Sequence, residues 1–89
     1  MTAIACVPPE ILKLILEKKG YKVKRETKFN WTMVAVTDED ESEAIVIPKR
    51  GDLVALEVMM GTLVAAHILP GDYFTFKAQV EAEQKKKAN

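Results

Sequence analysis

The fold of this chain is decided by residues 20–50, which read GYKVKRETKFNWTMVAVTDEDESEAIVIPKR. Residues 21–27 alternate in character, so Lys22, Lys24 and Glu26 are expected on one face of a β-strand. The opposite face would carry Tyr21, Val23, Arg25 and Thr27. This pattern predicts a half-buried strand whose solvent face is largely basic.

Two further strands follow within the same segment. Residues 31–37 are rich in β-branched and aromatic side chains, and residues 43–47 are mostly apolar up to Pro48, which ends a strand or places it at a sheet edge. Residues 38–42 between these strands are acidic apart from Ser42 and fit only a solvent loop. Consecutive strands with short connections predict an antiparallel three-stranded meander.

An amphipathic helix precedes these strands and ends at Gly20. Pro8 and Pro9 suit its first turn, because proline lacks the N–H that would have no helical partner there. Apolar residues then recur at helical spacing up to Lys19, and glycine adopts the positive φ that commonly ends a helix.

The segment after Pro48 is compatible with more than one structure. Residues 53–69 are apolar without a clean period, so they fit a helix, capped by Asp52 or Thr62, or a strand. Residues 73–83 fit a last helix or a strand that fades into the tail. With at least one further helix on the sheet, the predicted fold class is α+β: a small two-layer sandwich of helix, three-stranded antiparallel sheet and helix.

Composition predicts one cytoplasmic domain. The 89 residues are 48% hydrophobic and 29% charged, which fits a single domain over residues 1–84 with a flexible basic tail at 85–89. The apolar amino terminus stops at Pro8, too soon for a signal peptide or a membrane span. Cys6 is the single cysteine and has no partner for an internal disulfide, which favours a reducing compartment.

No motif indicates a metal or a cofactor. The acidic stretch 38–43 lacks the glycine and the terminal glutamate spacing of an EF-hand calcium loop. The chain also has no Cys/His cluster and no glycine-rich phosphate loop. We therefore expect neither a metal nor a cofactor.

Charge is unevenly distributed although the net charge is zero. Six lysine and arginine residues fall within residues 18–28, and acidic residues fill much of 38–43. Such runs commonly form solvated surfaces, but a basic stripe also binds phosphates through its local field. On the second interpretation, the nucleic-acid site consists of Lys22, Lys24, Lys28, Phe29, Asn30 and Trp31.

The aromatic residues of this candidate site have two interpretations. Phe29 and Trp31 would stack on unpaired bases, whereas a lone tryptophan in a small domain commonly supplies core area. Asn30 would orient a phosphate or cap the turn. Binding is thus predicted more firmly than catalysis.

Several short motifs occur in a characteristic order over roughly residues 10–75. They are Gly20-Tyr21-Lys22-Val23-Lys24-Arg25, Ile47-Pro48, Gly61-Thr62-Leu63 and Gly71. In this order the chain resembles the HicA-type (YcfA-like) mRNA interferase toxins. The resemblance implies a double-stranded-RNA-binding-domain-like fold, ribonuclease activity and a HicB-type antitoxin partner. It places Gly20 and Tyr21 at the helix exit, Arg25 at the family's strand arginine and Gly61 at the start of a helix.

The chain departs from this family at the residue on which catalysis depends. The family has a histidine after a glycine-serine pair at the start of its second strand, where this chain reads Lys28-Phe29-Asn30. Cleavage through the 2′-OH profits from a group that exchanges protons near neutral pH, and the asparagine amide does not titrate. His67 is the single histidine and lies among apolar residues, which favours a structural position over a general acid or base.

Two functions follow from these observations. The first is a HicA-like RNA-binding domain of the toxin–antitoxin type, with weakened or absent endoribonuclease activity and a HicB-like antitoxin or RNA as partner. The alternative is a non-catalytic interaction module that forms a homo-oligomer or a hetero-complex through the apolar residues 53–69. Neither function involves a membrane.

Overall fold

The computed structural model describes residues 6–37 and 44–87. Its elements are α1 (Pro9–Lys19), β1 (Tyr21–Glu26), β2 (Asn30–Ala35), β3 (Ile45–Pro48), α2 (Leu56–Ala65) and α3 (Pro70–Lys87). This order confirms the predicted α+β class, with a helix, a three-stranded antiparallel sheet and further helices. The loop predicted at residues 38–42 lies outside the described residues.

Helix α1 begins and ends at the residues that its sequence indicates. Pro9 occupies the first turn and Lys18 and Lys19 the last, where their charges favour the carbonyl end of the helix dipole. Gly20 then has a φ of 111°, and its N–H donates to the carbonyl of Glu17 at 3.2 Å. Because this conformation is costly for residues with a Cβ, the chain leaves the helix at Gly20 and enters β1 directly.

The strands lie in the order β1-β2-β3, and both pairs are antiparallel. Val23 pairs with Met33, which pairs with Ile45, so these three side chains share one face of the sheet. Trp31 of β2 and Ile47 of β3 pair on the same face. Met33 and Ile47 are fully buried, which identifies this face as the inner one.

The strict alternation predicted for β1 is wrong in its second half, because a β-bulge interrupts the pairing between Val23 and Arg25. After the bulge, Arg25 pairs with Thr32 and Glu26 pairs with Trp31. A single extra residue moves every later side chain to the other face. Glu26 therefore shares the inner face with Trp31, and Arg25 is on the outer face.

Helices α1 and α2 pack on the inner face of the sheet, and α3 packs against α1. The core cluster contains Leu12, Ile15 and Leu16 of α1, Met33, Ile45 and Ile47 of the sheet, Met59 and Leu63 of α2, and Tyr73 and Val80 of α3. An ion pair between Lys18 and Glu83 also joins α1 to α3. The outer face keeps Lys22, Arg25 and Val46 exposed.

The segment that fits either helix or strand is largely helical. Helix α2 follows Ala55, so neither Asp52 nor Thr62 caps it, and Thr62 is buried inside the helix. The chain turns at His67, whose φ is 58°, and Pro70 then begins α3. Proline fits there because the first helical turn needs no N–H from it.

Helix α3 continues beyond the predicted domain boundary at residue 84. It runs to Lys87, so residues 85–87 of the predicted tail extend the last helix, while residues 88–89 lie outside the described part of the chain. The domain bounds themselves stay a prediction.

Candidate nucleic-acid interface

The turn between β1 and β2 is fixed by the side chain of Thr27. Its Oγ1 accepts hydrogen bonds from the backbone N–H groups of Phe29 at 3.1 Å and Asn30 at 3.0 Å. The N–H of Thr27 in turn donates to the carbonyl of Asn30 at 2.8 Å. Such a hydroxyl-bonded turn gives Lys28 and Phe29 a defined direction at the end of the sheet.

The turn is joined to the chain that follows β3. Asn30 pairs with Pro48 across the sheet, and the N–H of Lys49 donates to the carbonyl of Phe29 at 2.9 Å. An open cleft of about 420 Å³ lies at this junction. It is lined by Lys28, Phe29, Asn30, Pro48, Lys49 and Arg50.

The cleft combines an exposed aromatic ring with positive charges. The side chain of Phe29 is 71% exposed, although its ring is one of the largest apolar groups in the chain. Lys28 and Arg50 are exposed, and neither forms an ion pair with another described residue. The described residues that line the cleft include no carboxylate, so its local charge is positive.

Lys49 differs from the other two cations because its ammonium is already bound. Its Nζ donates to Oε2 of Glu26 at 2.6 Å and lies 4.9 Å from the ring centroid of Trp31. Lys13 Nζ of α1 lies 5.3 Å from the same centroid, so two cations flank one indole. Hydrogen bonding and charge from Lys49 hold the pKa of the Glu26 carboxyl below its ordinary value.

Trp31 lies behind the cleft rather than within it. Its ring is half-buried, packs against the core cluster and is in contact range of both lysines. The structure therefore places its indole as a link between α1, the sheet and Lys49. Its role in stacking on bases stays a prediction.

Lys22 and Lys24 lie along β1, away from the cleft. Lys22 pairs with Val34 near the start of the strand, about 13 Å of extended chain before the strand ends at Glu26. Lys24 lies at the bulge. The structure thus brings together Lys28, Phe29 and Asn30 from the predicted site. Lys22 and Lys24 lie elsewhere, along β1.

Sequence reasoning missed Thr27, which fixes the turn, and Lys49 and Arg50, which line the cleft. A signal for the last two was present. In an antiparallel meander, the β1–β2 turn and the end of β3 lie at the same end of the sheet. Lys49 and Arg50, which follow Pro48, are therefore expected to lie close to the turn that contains Phe29.

Among the described residues that line the cleft, none is a histidine, a cysteine or a carboxylic acid. The Asn30 amide does not titrate, and His67 lies in a different groove, with Met60 and Val64 of α2. Within residues 6–37 and 44–87, no three His, Cys, Asp or Glu side chains cluster closely enough to hold a metal ion. No described helix is long and apolar enough to cross a membrane.

Comparison with family models, with curated proteins and with solved structures finds no match to this chain. The resemblance to HicA-type toxins therefore rests on the short motifs alone. Among them, Gly20 and Tyr21 do lie where α1 passes into β1, whereas Gly61 lies inside α2 and not at its start.

Proposed function

We propose that this domain binds single-stranded RNA in the cleft at the end of its sheet and is not an efficient ribonuclease. The observation that carries the proposal is that an exposed aromatic ring, Phe29, lines the same cleft as the exposed cations Lys28 and Arg50. This combination matches what single strands offer, since each nucleotide carries a phosphate charge and a base with a flat face.

Each group has a separate part in this interaction. Lys28 and Arg50 attract phosphates, and the planar guanidinium of Arg50 suits two phosphate oxygens at once. Phe29 stacks on a base, which must be unpaired for its face to be accessible. The Asn30 amide has donors for a phosphate and both donor and acceptor groups for a base edge. Lys49 does not bind a phosphate in this proposal, because its charge is already opposed by Glu26. It supports the cleft through that ion pair.

A salt titration of binding to a short single-stranded oligoribonucleotide tests this assignment. The variant Lys28→Ala/Arg50→Ala should lower the slope of log affinity against log salt by about 1.4, since each contact to a single strand contributes about 0.7. The control variant Lys22→Ala/Arg25→Ala removes the same charge from the outer face of the sheet and should leave the slope close to that of the wild type.

Two results would overturn the cleft as the binding site. One is the absence of measurable binding by the wild-type protein at low salt. The other is a larger loss with the Lys22/Arg25 variant than with the Lys28/Arg50 variant, which would move the interaction to the outer face.

RNA cleavage through the 2′-OH requires proton transfer near neutral pH, and Asn30 stands where the HicA resemblance implies a histidine. The purified protein should therefore leave RNA intact in the absence of metal. Robust cleavage that Asn30→Ala abolishes would contradict this. Cleavage created by Asn30→His would support a HicA-like scaffold without its chemistry.

A HicB-like antitoxin is the protein partner that the same resemblance implies. The adjacent reading frame tests this part of the proposal independently of RNA binding. A HicB-like neighbour whose product binds the purified domain would support a toxin–antitoxin origin. An unrelated neighbour, together with RNA binding in the cleft, would leave an RNA-binding domain without that origin.

A further inference from the structure

Helix α2 is apolar around almost its whole circumference. One side, with Met59, Thr62 and Leu63, is buried against the rest of the domain. Leu56, Met60 and Val64 are exposed and recur every four residues, so they form one stripe along the helix. Glu57 is the only charged residue in the helix. A helix that is apolar all round is normally covered on all sides.

Exposed apolar residues also flank both ends of α2. A groove of about 370 Å³ runs from Met60 and Val64 to His67, Leu69 and Pro70. Leu53, before the helix, is also exposed. We define the α2 surface as Leu53, Leu56, Met60, Val64 and Leu69, which are between 44% and 72% exposed. Contiguous apolar patches of this kind mark interaction sites.

Gly61 points to a helix as the partner. It lies inside α2 on the exposed side, where glycine is unfavourable for helix formation. A Cβ at this position would meet no atom within 4 Å, so nothing in the described part of the domain requires a glycine there. The absence of a side chain allows the backbone of another helix to come close at this point.

We propose that the partner is a second copy of this chain, with the two α2 helices antiparallel about a two-fold axis near Gly61. In a two-fold interface the same surface serves both copies, so the stripe must complement itself. Glu57 lies near the start of α2 and His67 follows its end, with Gly61 about midway. The antiparallel arrangement brings each Glu57 carboxylate towards the partner copy's His67, whose imidazole can donate a hydrogen bond to it. A parallel arrangement would oppose two carboxylates.

The size of the α2 surface predicts a weak, reversible dimer. If each of its five side chains loses roughly 50 Å² of solvent-accessible area on dimerisation, the interface buries about 250 Å² per copy. Stable complexes bury about 800 Å² per partner. Dimers are therefore expected only at high protein concentration, from high micromolar to millimolar.

Sedimentation equilibrium over a concentration series tests the proposal. The wild-type protein should pass from the monomer mass towards twice that mass. Val64→Lys places a charge in the apolar stripe of each copy and should weaken dimerisation at least about tenfold. The control Val36→Lys makes the same change at an exposed valine next to the sheet, away from α2, and should dimerise like the wild type. Circular dichroism would verify that both variants fold.

Two further variants distinguish this arrangement from non-specific hydrophobic association. Gly61→Ala should raise the melting temperature of the monomer, because alanine favours helix and has room there, while it weakens dimerisation. Glu57→Gln should weaken dimerisation about tenfold, through one charged contact at each end of the interface. A wild-type protein that stays monomeric at millimolar concentration refutes the proposal. Equal dimerisation by Val64→Lys and Val36→Lys refutes it as well.

Discussion

Truncation of Phe29 separates binding from folding more cleanly than any other change in the cleft. The ring is 71% exposed, so Phe29→Ala opens no cavity in the core. The turn itself is held by Thr27 Oγ1 and by the backbone bond from Lys49 N–H to the Phe29 carbonyl, and neither involves the ring. The free energy of unfolding should thus change by less than about 0.5 kcal/mol.

The effect on RNA affinity should be much larger. Stacking of one base on an aromatic side chain is worth about 1–3 kcal/mol, which corresponds to a loss of roughly 5- to 150-fold in Kd. The salt slope should stay at its wild-type value, because Phe29 carries no charge. This combination, a weaker affinity with an unchanged slope, is the opposite of what the loss of Lys28 and Arg50 predicts.

Fluorescence anisotropy with a labelled single-stranded oligoribonucleotide measures both quantities. Leu69→Ala is the matched control, since Leu69 is 68% exposed but lies on the α2 surface. It should bind RNA like the wild type. The stacking role is refuted if Phe29→Ala binds with wild-type affinity. It is equally refuted if Leu69→Ala loses as much, because a general effect of exposed apolar area would then explain both.

Three other changes have predictable outcomes. Glu26→Gln removes the carboxylate that holds Lys49, so the RNA salt slope should rise by about 0.7 in the same titration, and weaker binding would contradict this. Burial raises the pKa of Tyr73 from 10.0 to about 12. The protonated phenol therefore stabilises the fold fully below pH 10, and this stabilisation is lost as the pH rises to 12. In Tyr73→Phe, the decrease in the free energy of unfolding between pH 10 and pH 12 should be smaller by up to about 3 kcal/mol, as measured by urea unfolding at each pH. Gly20→Ala should lower the free energy of unfolding by about 1–3 kcal/mol through its φ of 111° alone, since a Cβ there meets nothing within 4 Å, whereas Gly71→Ala, with the same open space in α3, should not destabilise.

The parts of this fold that follow from local chemistry could be predicted from the sequence. The first helix is an example, because proline at its start and glycine at its end act within a few residues of themselves. The meander is another, since alternating and β-branched segments with short connections have few other arrangements. Neither inference needed information about distant parts of the chain.

The face of the sheet on which each β1 side chain lies could not be predicted in the same way. A bulge is a property of two paired strands, and the residues of β1 alone do not indicate that Lys24 is the extra one. Helix α2 could not be predicted from the sequence for a related reason. Amphipathic periodicity identifies a helix only when one side is polar, and both sides of α2 are apolar. The missing period is what the proposed dimer interface on α2 would produce.

The cleft shows why a count of basic residues is a poor guide to a phosphate site. The densest basic run, residues 18–28, is split by the fold between the end of α1, the flank of the sheet and the turn. What matters at the cleft is whether a charge is already engaged, as it is for Lys49 with Glu26. Lys28 and Arg50 come from segments that are distant in sequence, and the meander joins them at one end of the sheet. A protein with zero net charge can therefore present a local positive field, because binding depends on where its unopposed charges meet.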